Sequence, residues 1–420
     1  MTASPSPTDR GDNCPGTVRV HPASDGGLAR LRFPGGRLRP TDWTALAQIA
    51  TDHGGDLHLT SRGNVQVRGV RDEALLRDRV EAAGLLPSIA HDRVRNILAS
   101  PMAGRLSGHH DLGELPELLD AALVARQDLA TLSGRFLFGF DDSSGDVLAH
   151  SPDLAAVAGG GGADAAGDAG FAPASGDGIV SLHVRGRDTG LRTTMADAVT
   201  VLVDAAASFV SGTERQWRVP ASGEVHDFVV VALGDHPLTT GSPATTGTTG
   251  TTGTFSSRGT PTMPLGDAPS TAVEVPPVGW VDTADGLVSL LAVVPFGVVP
   301  ARLAEFLGAI ERPSTISAER VIGLHGLTEG MAEQVVRVLA PMGMIFDAAS
   351  PWVEVTACTG LPGCSRSLTD VRADATAAVH EGTLPVVGRQ HWVGCDRACG
   401  DTGAGQRVTA TPQGYVVGRP

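Results

Sequence analysis

His58 to Val70 reads HLTSRGNVQVRGV, and Thr315 to Leu327 reads TISAERVIGLHGL. Both runs alternate in the manner of a strand, and they end alike, on Arg68-Gly69-Val70 and on His325-Gly326-Leu327. Upstream of the first lie an alternating strand, Leu28 to Pro34 (LARLRFP), and a helical stretch, Thr41 to Ala50; a second helix, Arg71 to Ala83, follows it. Upstream of the second lie Leu290 to Pro295 (LLAVVP) and the helical stretch Ala301 to Ile310, and Thr328 to Leu339 follows as a helix. The order β-α-β-α therefore occurs twice, which predicts an internal duplication about a pseudo-two-fold axis. A short strand closes each copy, at Ser100-Pro101 and at Cys358-Thr359-Gly360.

The two repeats divide the 420 residues. Residues 1–25, rich in Pro, Ser, Thr and Asp, read as a disordered tail without the basic start and apolar run of a secretory signal. Residues 26–98 form the first repeated unit and 279–354 the second. Between them, 99–235 reads as an α/β domain carrying a Gly/Ala/Asp-rich flexible insert at 155–178. Residues 236–278, with Thr-Thr-Gly repeats, read as a disordered linker too poor in apolar side chains to offset ordering entropy. Residues 355–420 hold four of the five cysteines.

A net charge of -14 argues against nucleic acid and anionic membranes as partners. No apolar run approaches the roughly 18 to 20 residues of a membrane span, so the cytoplasm is the expected location. The chain contains no lysine, so arginine carries all 32 basic side chains counted with lysine. Its planar fork suits bidentate recognition of carboxylates.

The sharpest chemical signal is Cys358-x5-Cys364 followed by Cys395-x3-Cys399. Four thiolates from two turns, with Gly360, Pro362, Gly363, Gly394 and Gly400 freeing the backbone, match the demands of a [4Fe-4S] cluster. Zinc ribbons favour C-x2-C pairs, and disulfides suit secreted chains, so both are weaker readings. Cys14, alone in the tail, reads as a bystander. A second signal is a polar face: Arg62, Asn64, Gln66 and Arg68 share one side of the first strand by the period of two, opposite Gly63, Val65 and Val67. Arg95-Asn96 and Gly134-Arg135-Phe136 extend it.

Taken in order, LTSRGNVQVRG, RNILASP, SGRFLFGFDD, ACTGLPGC and GCDRACG resemble the siroheme-dependent nitrite and sulfite reductase superfamily, from Gly26 to Val417. Within it, the compact length, DGGLARLRFPGG and HWVGCDRACG are similar to the precorrin-3B synthases of aerobic cobalamin biosynthesis. The resemblance implies an α+β fold, duplicated ferredoxin-like half-domains with two α/β hemoprotein-like domains. It implies Cys358, Cys364, Cys395 and Cys399 as cluster ligands, with Cys399 the thiolate that bridges to siroheme iron in the reductases. Arg62 and Arg95 match cavity arginines, and Arg135 matches the first of two lysines in the third motif. Leu137 stands where the second lysine would be, so one cation expected in an oxyanion reductase is missing.

The activity implied is oxygen-dependent hydroxylation of precorrin-3A at C20 with γ-lactone formation. Arg62, Asn64, Gln66, Arg68, Arg95 and Arg135 would then contact the substrate carboxylates. Electrons would come from NADH through a reductase partner, since the glycines at Gly159 to Gly162 do not form a dinucleotide fingerprint. The family is also associated with a mononuclear non-haem iron, for which His109, His110 and His391 are candidates. Asp141-Asp142 reads as a hairpin turn. The alternatives are a small siroheme nitrite or sulfite reductase and, outside enzymes, a tetrapyrrole carrier with structural zinc.

Overall fold

The computed structural model describes residues 12–159, 178–213, 216–243, 277–403 and 405–418. The first unit runs β1 (His21–Ala23), β2 (Gly26–Leu31), β3 (Arg37–Leu38), α1 (Pro40–Asp52), β4 (Asp56–Leu59), β5 (Val65–Val70) and α2 (Glu73–Ala82). The next comprises β6 (Ile97–Ala99), α3 (Leu115–Ala125), β7 (Phe138–Asp141), β8 (Leu154–Ala158), β9 (Ile179–Val184), β10 (Arg187–Thr194), α4 (Ala198–Gly212), α5 (Glu224–Gly234) and β11 (Thr240–Gly241). The repeat follows as β12 (Gly279–Asp282), β13 (Val288–Val293), β14 (Val298–Pro300), α6 (Ala301–Ala309), β15 (Ser314–Ile316), β16 (Val321–Leu327) and α7 (Glu329–Leu339). The chain ends with β17 (Val355–Ala357), α8 (Val371–Glu381), β18 (Gln390–Val393), β19 (Gln406–Thr411) and β20 (Gly414–Gly418).

The duplication is real and closer than two adjacent copies. One sheet has the order β1-β2-β5-β4-β14 and its mate β12-β13-β16-β15-β3, so each half-domain lends a short strand to the other's sheet. The helices α1 and α6 pack together, and a single apolar core, including Leu31, Leu46, Val67, Leu303 and Ile322, runs through both halves. Trp43, fully buried, donates its Nε1–H to Ser314 Oγ at 2.7 Å and ties one half to the other. Hydrophobic alternation in the strands and apolar stripes on the helices leave this shared core as the way to cover both faces.

The expected single strands are hairpins. His58 to Val70 divides into β4 and β5, paired antiparallel, around a turn in which the Asn64 carbonyl accepts from Thr60 N–H at 2.9 Å. Gly63, at φ 62°, takes the left-handed position that the turn requires. Thr315 to Leu327 divides likewise into β15 and β16. Alternation alone cannot reveal a turn inside a run of strand-like residues, although Ser61-Arg62-Gly63-Asn64 carries turn chemistry.

The remaining sheets also echo each other. β6, β7 and β8 run parallel, as do β17, β18 and β19, and each set then turns antiparallel, into β9 and β20. Three further expectations change. The insert expected from Ala155 starts later, because Ala155 to Ala158 belong to β8, and residues 160–177 lie outside the described residues. Within the expected tail, residues 12–25 are placed: Thr17 is buried against the Asp92 carboxylate, and β1 pairs with β2. Within the expected linker, Thr240–Gly241 pairs with β10, and 244–276 lie outside the described residues.

Candidate metal centre and substrate site

Cys358 follows β17 directly and Cys395 follows β18 after one glycine, so both leave the carboxyl ends of neighbouring parallel strands. Sites gather at such ends because the loops there are free to converge. Gly394 N–H donates to Cys358 Sγ at 3.4 Å, and the Gly394 carbonyl accepts from Leu368 N–H at 2.9 Å, which docks the loop carrying Cys364 onto the turn carrying Cys395. A side chain on Gly394 would collide with Ser367, so only glycine permits that approach. A turn closed by Ala398 N–H to the Cys395 carbonyl, 3.2 Å, brings Cys399 back.

Burial pushes the Cys358 thiol up, and the neighbouring Cys364 and Cys395 push the same way. Cys399 is raised by burial and then, against the opposing pull of Arg397, by Cys358, Cys395 and Cys364. Cys358 and Cys399 thus lie within electrostatic reach of each other and of both Cys364 and Cys395. Among the described residues, Asp141, Asp142 and Asp146 are three ligand-type side chains within 4.8 Å of one another. The arrival of four thiols from two adjoining loops and the N–H directed at sulfur fit a [4Fe-4S] cluster.

Each sequence-predicted arginine has its own environment. Arg68 is held bidentately by Asp25 at 2.8 and 2.9 Å and donates to the Gly363 carbonyl at 2.7 Å, so it grips the cysteine loop. Arg95 is bound through both nitrogens by Asp120. Arg135 stacks on Trp217 at 4.3 Å. Asn64, expected to face substrate, is fully buried, accepting from Phe33 N–H at 2.9 Å and donating to Asn96 Oδ1 at 3.4 Å; it fixes the hairpin turn. Gln66 accepts from Arg30 at 3.3 Å.

Arg62 differs from these. Its guanidinium donates to the Gly134 carbonyl at 3.3 Å, and no ion pair compensates it among the described residues. Burial lowers it to about 10, and the like charges of Arg218 and Arg30 add to that. Arg30, cross-strand from Gln66, has its Nε shut off from solvent with no partner. Reading LARLRFP as a strand does not single out Arg30; its position opposite Gln66 on the same polar face is the signal that does. Cys14, expected as a bystander in a disordered tail, is held in place. Asp12 accepts from Gly134 N–H at 2.6 Å and from Cys14 N–H at 3.0 Å, and this strap sets the thiol, raised by burial and Asp12, in the field of Arg30 and Arg135.

A cavity of about 850 Å³ opens elsewhere, between Thr315 and His325 on one side and Arg37, Arg95, Arg105 and Asp120 on the other. Neither Arg62 nor any cluster cysteine lines it, and Arg37 and Arg95 are each paired there with a carboxylate.

The expected iron histidines do not converge. His109 Nδ1 lies 3.0 Å from Asp142, and the His110 N–H donates to the Asp142 carbonyl at 3.2 Å. His391 instead belongs to the cysteine loops, accepting from Thr356 at Nδ1, 2.8 Å, and donating from Nε2 to the Cys399 carbonyl, 3.2 Å. Burial and then Arg320 lower it to about 4, so it is neutral. Asp141-Asp142 is turn chemistry but not a hairpin, because β7 and β8 are parallel; the Asp141 carboxylate caps Ser143, Gly145, Val147 and Leu148 N–H groups.

Asp146, beside them, is pushed up to about 7 by burial, with Asp141 and Asp142 adding. Its folded value exceeds its unfolded value of 3.8, so its carboxyl leaves stability intact below about pH 4 and erodes it as pH rises toward 7. Asp146→Asn should flatten that limb of a urea-denaturation pH profile by at least about 1.4 kcal/mol, the equivalent of a tenfold change in the protonation equilibrium. Superimposable profiles would contradict the assignment.

Residues 21–77 match the family described as Nitrite/Sulfite reductase ferredoxin-like half domain. Over 103 residues the chain is 30% identical to the Sulfite reductase [NADPH] subunit beta of Saccharomyces cerevisiae, a stretch covering 22% of this chain and 7% of that protein. It superposes on the NirA protein of Mycobacterium tuberculosis with a TM-score of 0.68 and 17% identity, over 93% of this chain and 73% of that one. No helix among the described residues is long and apolar enough to cross a membrane. Residues 21–77 thus resemble a nitrite/sulfite reductase ferredoxin-like half domain, and the chain as a whole has an α+β fold like that of NirA.

Proposed function

We propose that this chain is an oxygen-dependent precorrin-3B synthase, hydroxylating precorrin-3A at C20 and closing a γ-lactone from a ring acetate. One oxygen atom of dioxygen enters the substrate and the other leaves as water, with two electrons and two protons from NADH and a proton delivered through a reductase partner. The observation that carries the reading is a polar strand and turn that lead from the cysteine loop to Arg30 and Arg62, two arginines with no ion pair among the described residues. Along β5, Arg68 touches the cysteine loop, and two residues away, roughly 6.6 Å along the strand, Gln66 meets Arg30. Arg62 follows in the turn. Arg30 and Arg62 would bind and orient the rim carboxylates, with Arg135 and its Trp217 stack beside them. When bound at Cys358, Cys364, Cys395 and Cys399, a [4Fe-4S] cluster supplies single electrons.

A large polyanion suits this site better than a small oxyanion does. Leu137 is packed in an apolar cluster with Leu98, Val147 and Ala318, so its position offers no charge. Arg95 is already neutralised by Asp120. The second reading, a siroheme nitrite or sulfite reductase, is favoured by the NirA-like fold and the yeast sulfite reductase segment. Incubating the anaerobically purified protein with precorrin-3A, a reductase, NADH and ¹⁸O₂ should add one labelled oxygen to the product by mass spectrometry. An isobacteriochlorin absorption band together with sulfite or nitrite turnover, and no labelled product, would replace the synthase reading with the reductase.

A further inference from the structure

Four basic side chains from four different elements donate to carbonyl oxygens of the two cysteine loops. Arg68 on β5 reaches Gly363 at 2.7 Å, Arg372 on α8 reaches Cys358 at 3.1 Å, Arg320 in the β15–β16 turn reaches Gly400 at 2.9 Å, and His391 on β18 reaches Cys399 at 3.2 Å. They differ in charge balance. The His391 ring is shared between the Thr356 hydroxyl and the Cys399 carbonyl, and Arg68 has Asp25 as its counter-ion. Arg320 is 8% exposed and Arg372 is partly buried, and among the described residues neither has a carboxylate within ion-pair distance; Glu319 pulls on Arg320, and Asp370 and Asp56 pull on Arg372, only from farther off. Glu319, the residue next to Arg320, turns away to His150 at 2.8 Å.

A buried guanidinium without an anion is strongly unfavourable. Hydrogen bonds to one carbonyl each satisfy part of the donor set but none of the charge. The missing anion is accounted for by the ligated cluster, because four thiolates around a [4Fe-4S] core leave a net negative charge that grows by one on reduction. A nearby fixed cation favours the more negative, reduced form, and cluster potentials follow net charge and surrounding hydrogen bonds.

We propose that Arg320 and Arg372 are the counter-ions of the cluster: positioning residues that hold the cysteine loops and raise the cluster's reduction potential. The inference rests on the cluster reading above. Arg320 comes from the repeated half-domain rather than from the cysteine-bearing unit, so the duplication acquires a role at the redox centre: one copy supplies Arg68 to the Cys364 loop and the other supplies Arg320 to the Cys399 loop. Hairpins related by the pseudo-two-fold axis thus clamp the same centre at its two cysteine loops.

The test is an EPR-monitored redox titration of the full chain, purified anaerobically, as wild type, Arg320→Gln, Arg372→Gln, Arg320→Lys and, as a remote control on the exposed face of α7, Arg337→Gln. The glutamine variants should retain iron and sulfide and titrate at more negative potential. The expected size is at least a threefold change in the reduction equilibrium, on a scale where tenfold is 59 mV for one electron. Arg320→Lys should recover at least half of the shift, and Arg337→Gln should show none. A glutamine variant that loses its cluster while the lysine variant keeps it also supports a requirement for charge. Unshifted potentials in cluster-loaded glutamine variants, equal shifts for lysine and glutamine, or cluster loss in both would overturn the counter-ion role. Wild-type protein lacking iron and sulfide would instead remove the cluster reading itself.

Discussion

Cys364→Ala is expected to abolish cluster assembly and to loosen the sheet formed by β17 to β20. Cys364 enters from the loop that the Gly394 carbonyl and Arg68 dock against the rest of the site, so it closes the ligand set across the two turns. The unit behind it has little apolar mass of its own. Its buried core consists of Val355, Ala357, Val371, Ala375, Ala378, Trp392, Val408 and Ala410, half of them alanines. A unit so thinly packed depends on ligation, because binding free energy at a centre absent from the unfolded chain is folding free energy. Iron and acid-labile sulfide should fall to background, and amide-exchange protection in β17–β20 should drop by at least about tenfold, or 1.4 kcal/mol, while the shared core of the half-domains keeps its own. Full sulfur-to-iron absorption in the variant would refute Cys364 as a ligand.

Arg62→Ala should weaken binding of precorrin-3A by roughly 10- to 100-fold, the loss expected for one charge-assisted contact worth about 1.5–3 kcal/mol. Stability should move the other way or not at all. Burial and the charges of Arg218 and Arg30 already work against this guanidinium, and its one hydrogen bond, to the Gly134 carbonyl, is long at 3.3 Å. Arg32 provides the contrast. It is 3% exposed and donates to the carbonyls of Asp92, Arg30 and Pro15 and to Asn96 Oδ1, so replacing it should lower stability. Calorimetric titration with the substrate, alongside thermal melts of both variants, separates the two roles. An unchanged affinity with a lowered melting temperature for Arg62→Ala would make Arg62 a structural residue and take it out of the site.

Much of the architecture is legible in the sequence because it depends on local periodicity. The four helices of the repeats appear within about two residues of the expected bounds, since an apolar stripe and a capping residue such as Asp72 or Thr328 are written into neighbouring positions. The hairpin turns are hidden inside alternating runs, and the exchange of β3 and β14 between sheets is invisible. A two- or three-residue strand has no periodicity to read, and its partner, β15 or β4, lies elsewhere in the chain.

At the site the division is similar. Residue type and spacing alone single out Cys358, Cys364, Cys395 and Cys399, because a thiol carries its ligand chemistry wherever the chain places it. Which arginines have charge to offer depends on the fold. Arg68 finds Asp25, Arg95 finds Asp120, and Arg62 and Arg30 form no ion pair among the described residues, Asp153 acting on Arg62 only from farther off, while Cys14 is carried from the tail into their field. A cation's availability depends on what surrounds it in space, and partners separated by tens of residues in the chain leave no pattern in its neighbourhood. The duplicated α+β frame and the four-thiol motif are thus written in local residue order, whereas neutralisation of the cations is left to folding, because Coulomb energy depends on distance and burial rather than on chain position.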